Sequence, residues 1–139
     1  MVKISIVIPT CNRSKYIPLA LNSVFAQTFT DFETIVVDDG STDDTPQILS
    51  GYKDKVRYIR QENQGSSAAR NRGIKESRGG IIVFMDDDCT AEPSWLSSIA
   101  ELVKNQTCAA MGGRILPVFP AETPQWIKTY GELLRGPIV

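Results

Sequence analysis

Short apolar runs alternate along this chain with stretches in which apolar residues recur every three or four positions. That alternation predicts a parallel sheet with helices packed over it. Strands are expected at Lys3 to Ile8, Phe32 to Val37, Val56 to Arg60, Ile81 to Met85 and Cys108 to Ile115. The second and fourth are continuous Ile/Val/Phe runs, the pattern of strands buried on both faces. Between the first two, Ile17, Ala20, Leu21, Val24 and Phe25 share one helical face. Pro18 fits the opening turn there, where N–H groups have no intrahelical partner. A second helix is expected from Asp43-Asp44, with Pro46 in its first turn. A third runs from Ser66-Ser67 through Ala68, Ala69 and Ile74 to a stop at Gly79-Gly80. The next opens at Pro93 and presents Trp95, Leu96, Ile99, Leu102 and Val103 at helical spacing. Then Pro117, Pro120 and Pro124 break the pattern. A last short amphipathic helix is expected, with Thr123 as cap, Trp126, Ile127, Tyr130, Leu133 and Leu134 as its apolar face, and Gly136-Pro137 as its stop.

A length of 139 residues suits one domain. Residues 3–115 are its expected core, and 116–139 the Pro-rich segment with its helix. Hydrophobic residues at 42% and charged residues at 22% are ordinary for a folded chain, so disorder is not expected. Fifteen basic against sixteen acidic residues give a net charge of −1, which removes any general attraction to nucleic acid. The absence of His excludes a Ser-His-Asp triad, an HExxH zinc helix and a His general base. Cys11, Cys89 and Cys108 are widely spaced and odd in number, which argues against a disulfide scaffold or a structural zinc site and for a reducing compartment. The apolar run at the N-terminus is too short for a signal peptide or a membrane span. The expected location is the cytoplasm, or the periphery of the membrane's inner face.

In open α/β sheets ligands bind beyond the carboxyl ends of the strands, so the residues just after each apolar run matter most. They are Pro9-Thr10-Cys11-Asn12-Arg13, Asp38-Asp39-Gly40-Ser41, Glu62-Asn63-Gln64-Gly65 leading to Arg70, and Asp86-Asp87-Asp88. Three consecutive carboxylates repel one another and need a counter-charge. On an extended chain Asp86 and Asp88 share a face, and a hard divalent cation completed by substrate phosphates would satisfy them. A solvated acidic turn is the plainer alternative. Asp38 and Asp39 point to opposite sides, so one can shape the turn while the other meets a ligand, for example the imide N–H of a uracil ring. Residues 53–78 hold eight basic residues against three acidic ones, mostly a solvated face. Arg70 differs, because it lies in the first turns of a helix that follows a glycine, where phosphate is attracted. Cys89 beside the triplet reads as a buried, inert thiol.

Taken in order, these pieces resemble the N-terminal half of a family 2 glycosyltransferase. The matching stretches are Ser5 to Arg13, Ser23 to Thr28, Ile35 to Asp43, Asn63 to Asn71, Gly80 to Asp88 and Pro93 to Leu96. The resemblance implies the GT-A fold: three α/β/α layers on a mostly parallel, Rossmann-like sheet, here incomplete in its C-terminal half. It implies a nucleotide-diphospho-sugar donor, usually UDP-linked, a divalent metal, manganese or magnesium, and a carbohydrate or lipid-linked acceptor. Carried over by position, Pro9, Thr10, Asn12 and Arg13 line the nucleotide pocket. Asp39 meets the uracil with Asp38 beside it, Arg70 lies near base and phosphates, and Asp87 belongs to the donor contacts. Asp86 and Asp88 match the two acids of the Asp-X-Asp motif, with Asp88 as the direct metal ligand. The family's further acid is replaced by Cys89.

The similar enzymes invert the anomeric centre in one displacement, with a carboxylate base from the acceptor-binding half. Glu92, Glu101, Glu122 and Glu132 follow the triplet, and none has that base's context. The chain is therefore expected to bind donor without efficient transfer, and to self-associate through Trp126, Ile127 and Leu134. Two other classes are a non-catalytic nucleotide-sugar-binding module and a nucleotidyltransferase. The latter calls for a Gly-rich basic loop after the first strand, and Pro9-Thr10-Cys11-Asn12 is not one.

Overall fold

A computed structural model describes residues 4–105, 109–119 and 121–128. The strands are β1 (Ile4–Thr10), β2 (Phe32–Asp39), β3 (Arg57–Gln61) and β4 (Ile81–Phe84), and the helices are α1 (Ile17–Phe25), α2 (Thr45–Ser50), α3 (Ser66–Glu76) and α4 (Trp95–Asn105). All strand pairs are parallel, in the order β3-β2-β1-β4. Contacts divide the chain into Met1–Gln106, which holds the sheet, and Thr107–Val139.

The period of two along β1 sorts the core into two layers. Ile4, Ile6 and Ile8 pack with Ile17, Ala20, Leu21 and Val24 of α1, Leu49 of α2 and Leu96 of α4. On the other face Ile35 and Val37 pack against Ala69 of α3. Beside that face, Gly73 lets α3 lie close to the sheet, because a Cβ there would sit 2.2 Å from a methyl of Val7. The result is α/β with helices on both faces of the sheet.

Several expectations change. β1 and β2 run two residues further than the apolar pattern, so Pro9-Thr10 and Asp38-Asp39 are strand ends. β2 is buried on both faces over most of its length, whereas β4 is not: Ile82 and Phe84 are exposed. The register pairs Ser5 with Ile82 and Val7 with Phe84, which puts both on the α3 side. There α3 covers the two central strands and leaves the edge strand bare. α3 stops at Glu76, and Gly79 instead takes part in docking β4, donating its N–H to Ser5 Oγ at 2.8 Å. In α4 Leu96 is buried while Leu102 and Val103 are exposed.

The expected fifth strand does not form over residues 109–115. Gly112-Gly113 offers no side chain to pack, and a strand needs a paired neighbour. In the second unit a helical turn occupies residues 125–128, started by Pro124, whose carbonyl accepts from the N–H of Ile127 at 3.0 Å. Trp126 is exposed there. Tyr130, Leu133, Leu134 and Gly136-Pro137 lie outside the described residues.

Candidate functional site

From β1 the chain passes to β2 on one side of the sheet, while β4 lies on the other. The order therefore reverses between β1 and β4, and the crevice beyond their carboxyl ends is where such sheets bind ligands. Residues from both ends meet there. Arg13, after β1, brings Nε to 3.8 Å from Oδ1 of Asp87, after β4. Its guanidinium also lies 5.6 Å from the centre of the Tyr16 ring.

The acidic triplet is not extended. Cys89 N–H donates to the Asp86 carbonyl at 3.2 Å, closing a turn that leaves Asp86 and Asp88 exposed and buries Asp87 to 8% exposure. Burial pushes the Asp87 carboxyl above its ordinary range; Thr10 and Arg13 pull it down, and Asp88 and Asp86 add to the rise. Thr10 Oγ1 is buried beside it. Asp86 is held by Arg70, reaching from α3 at 2.6 Å. Asp88 meets only the Cys89 thiol, at 3.9 Å, among the described residues. Burial raises the Cys89 thiol, with the three carboxylates adding to it, so it stays protonated.

Asp38 and Asp39 go to opposite faces, as the strand period requires. Asp38, fully buried, accepts from Ser41 N at 2.8 Å and from Tyr58 Oη at 2.7 Å. The Tyr58 hydroxyl is pushed up to about 12 by burial and by that carboxylate. Asp39 accepts from Gln61 Nε2 at 2.7 Å, Gln64 N at 2.9 Å and Gly65 N at 2.8 Å. Burial raises its carboxyl, but these donors outweigh burial and hold it below the usual range. Both acids thus fasten loops. Gly40 between them and Ser41 is left-handed (φ 78°), and a Cβ there would lie 2.9 Å from Asn63 N.

Asn12 also turns toward the neighbouring loop rather than the crevice. Its Oδ1 accepts from Thr42 N at 2.8 Å and Asp43 N at 3.3 Å. Pro9 lies at the β1 end beside Val37. The switch point therefore gathers Thr10, Arg13, Arg70, Asp86, Asp87 and Asp88, while Asp38, Asp39 and Asn12 shape the rim. Sequence reasoning missed Gln61 and Tyr58 as supports, while Asp43, expected at the start of α2, accepts from Thr45 N at 3.0 Å. Only the Asp38-x-x-Ser41 and Asp43-x-Thr45 spacings hint at side chains bonding the backbone of a turn.

Among the described residues no three Cys, Asp or Glu side chains converge to hold an ion by themselves. A small divalent cation takes one or two carboxylates and fills its shell with phosphate oxygens and water, and the exposed, hard oxygens of Asp88 and Asp86 fit that use. No described helix is long and apolar enough to cross a membrane.

The profile described as glycosyl transferase family 2 matches residues 5–136. Glycosyltransferase AglE of Haloferax volcanii is 35% identical over 123 residues, covering 84% of this chain and 40% of that protein. Glucosyl-dolichyl phosphate glucuronosyltransferase of the same organism is 30% identical, covering 89% and 42%. Residues 1–349 of S. aureus TarS are 30% identical, with a TM-score of 0.70 over 82% of this chain and 39% of that one. TarS in complex with UDP-GlcNAc matches at 29% identity and a TM-score of 0.68 over 82% and 37%. The chain thus spans about two fifths of the length of the two Haloferax volcanii relatives.

Proposed function

Since this chain belongs to glycosyl transferase family 2, we propose that its β1/β4 switch point holds the diphosphate of a UDP-sugar for inverting transfer to a hydroxyl acceptor. One observation carries the reading. Thr10 and Arg13 from β1, the acids from β4 and Arg70 from α3 converge where the strand order reverses. The complex of similar TarS with UDP-GlcNAc supports a UDP-linked donor.

Arg70 offers the donor's phosphates a fixed cation, for which they compete with Asp86. Asp39 retains one lone-pair direction beyond its three donors, enough to accept the imide N–H of uracil. A bound Mn2+ or Mg2+, held by Asp88 and Asp86, would neutralise charge developing on the leaving diphosphate. In the transfer the acceptor oxygen bonds to the anomeric carbon as the bond to the diphosphate breaks, and the acceptor proton passes to a carboxylate base. We assign this chain donor binding and leave the base unassigned. The unpaired thiols of Cys11 and Cys89 suit a reducing compartment, the cytoplasmic side.

Titration calorimetry of UDP and CDP in manganese, in magnesium and in excess chelator tests the reading. We expect cation-dependent UDP binding, UDP favoured over CDP, and a larger loss in Asp88→Asn than in Asp86→Asn. Equal affinity for both nucleotides with and without the cation would remove it.

A further inference from the structure

We infer that Asn12 serves donor binding as a positioning residue: its side-chain oxygen clasps the β2–α2 loop, and the clasp, not contact with the nucleotide, sets Arg13 in place. The inference rests on the donor-binding reading above.

Among the described residues Asn12 is the only non-glycine with positive φ, at 55°. Few side chains tolerate that conformation, and Asn does so by bonding nearby backbone. Here it bonds a different loop. Oδ1 accepts from Thr42 N at 2.8 Å, Asp43 N at 3.3 Å and Thr42 Oγ1 at 3.3 Å. Two backbone N–H donors on one atom identify it as the oxygen, since a reversed amide would set N–H against N–H.

The second loop and the first residue of α2 return the clasp with three side chains. Ser41 Oγ accepts from Asn12 N at 2.9 Å, Thr45 Oγ1 from Arg13 N at 3.1 Å, and Asp43 Oδ2 from Ser14 N at 3.1 Å. Ser41 and Thr45 are buried, and Arg60 fixes the Ser41 carbonyl at 2.7 Å. Every backbone N–H from Asn12 to Ser14 is thus spoken for by the β2–α2 loop and the first residue of α2. The Arg13 carbonyl in turn starts α1, accepting from Tyr16 N and Ile17 N. The segment between the β1 end and α1 has its course set from outside, and its course decides where Arg13 stands relative to Asp87.

With its oxygen consumed, Asn12 has only amide N–H donors left for a ligand. That separates the two roles. Asn12→Asp keeps the acceptor and loses the donors. Asn12→Gly keeps the backbone conformation and loses the clasp, and Asn12→Ala loses both. UDP affinity is read by calorimetry with manganese at low and high salt, the latter to screen the charge that Asp adds beside Asp43. Amide exchange at Thr42 and Asp43 reads the clasp directly, and exchange in β1 confirms that each variant is folded.

We expect Asn12→Gly and Asn12→Ala to weaken UDP by about tenfold or more, from the loss of two backbone hydrogen bonds. Thr42 and Asp43 then exchange faster, and Asn12→Asp restores both readouts at high salt. An Asp variant as weak as the Ala variant, with its amides protected, would assign Asn12 to the nucleotide and overturn the inference. So would wild-type affinity in Asn12→Gly. A folded wild-type chain with protected Thr42 and Asp43 amides that binds no UDP defeats the donor reading, and this role with it. Unprotected amides in a wild type that does bind UDP defeat the clasp alone.

Discussion

Asp87 sits in the crevice at a cost to stability. It is buried, flanked by two like charges, and its cation, Arg13, is 3.8 Å away with a half-exposed side chain. Burying a carboxylate with so loose a partner disfavours the folded state at neutral pH. We expect Asp87→Asn to raise the melting temperature by a few degrees in chelator while weakening UDP binding, a trade seen by calorimetry on one sample. Asp43 has the opposite sign. Burial raises its carboxyl, but hydrogen bonds from Thr45 and Ser14 bring it to about 2. A carboxyl depressed on folding contributes stability that is complete above its unfolded value, about 3.9. That contribution drains as pH falls from there towards 2, and Asp39, also depressed, adds to the same loss. Thermal melts between pH 7 and pH 2 are expected to fall steeply below about pH 4. Asp43→Asn flattens that fall and lowers stability at neutral pH.

At the level of elements, α3 is the part whose placement the site depends on most. Gly73 allows its approach to Val7, and one turn earlier on the same helix Arg70 reaches Asp86. A methyl group at Gly73 meets Val7 far inside contact distance, so the helix has to lift. We expect Gly73→Ala to cost about 1–3 kcal/mol in urea unfolding and to weaken nucleotide binding, while a surface Ala at Lys75 does neither. The apolar periods made β1 to β4 and α1 to α4 legible, because each element buries one face and its period shows in the residues themselves. Residues 109–115 misled, since an apolar run reads as a strand whether or not a neighbour exists to pair with it. The bare side of β4 was hidden for the same reason: Ile82 and Phe84 look like core, and only the reach of α3 decides that they are not. In the site, the acids and Arg70 were legible as charges near strand ends. Their partners were not, because pairing such as Asp86 with Arg70 or Asn12 with Thr42 is made across the fold.

For the molecule as a whole, β4 is the terminal strand of the four and carries Ile82 and Phe84 in the open, with Ile74 exposed on α3. A flat strand edge with an apolar face promotes association. We expect the purified chain to gain mass with concentration in sedimentation runs, and Ile82→Thr with Phe84→Thr to restore a monomer without loss of UDP binding. An unchanged mass distribution in that pair would place the sticky surface elsewhere, Trp126 being one of the other exposed candidates. The position of β1 has a consequence in time as well as in space. As the strand that neighbours both β2 and β4, it waits for each of them, and the partner at Ile81–Phe84 arrives last. Closing the longer loop is slower, so β1, β2 and β3 can assemble as a nascent half while the segment bearing the triplet is still being synthesised. The proposed donor crevice is then completed only after the first three strands are in place, when the segment bearing the triplet reaches β1.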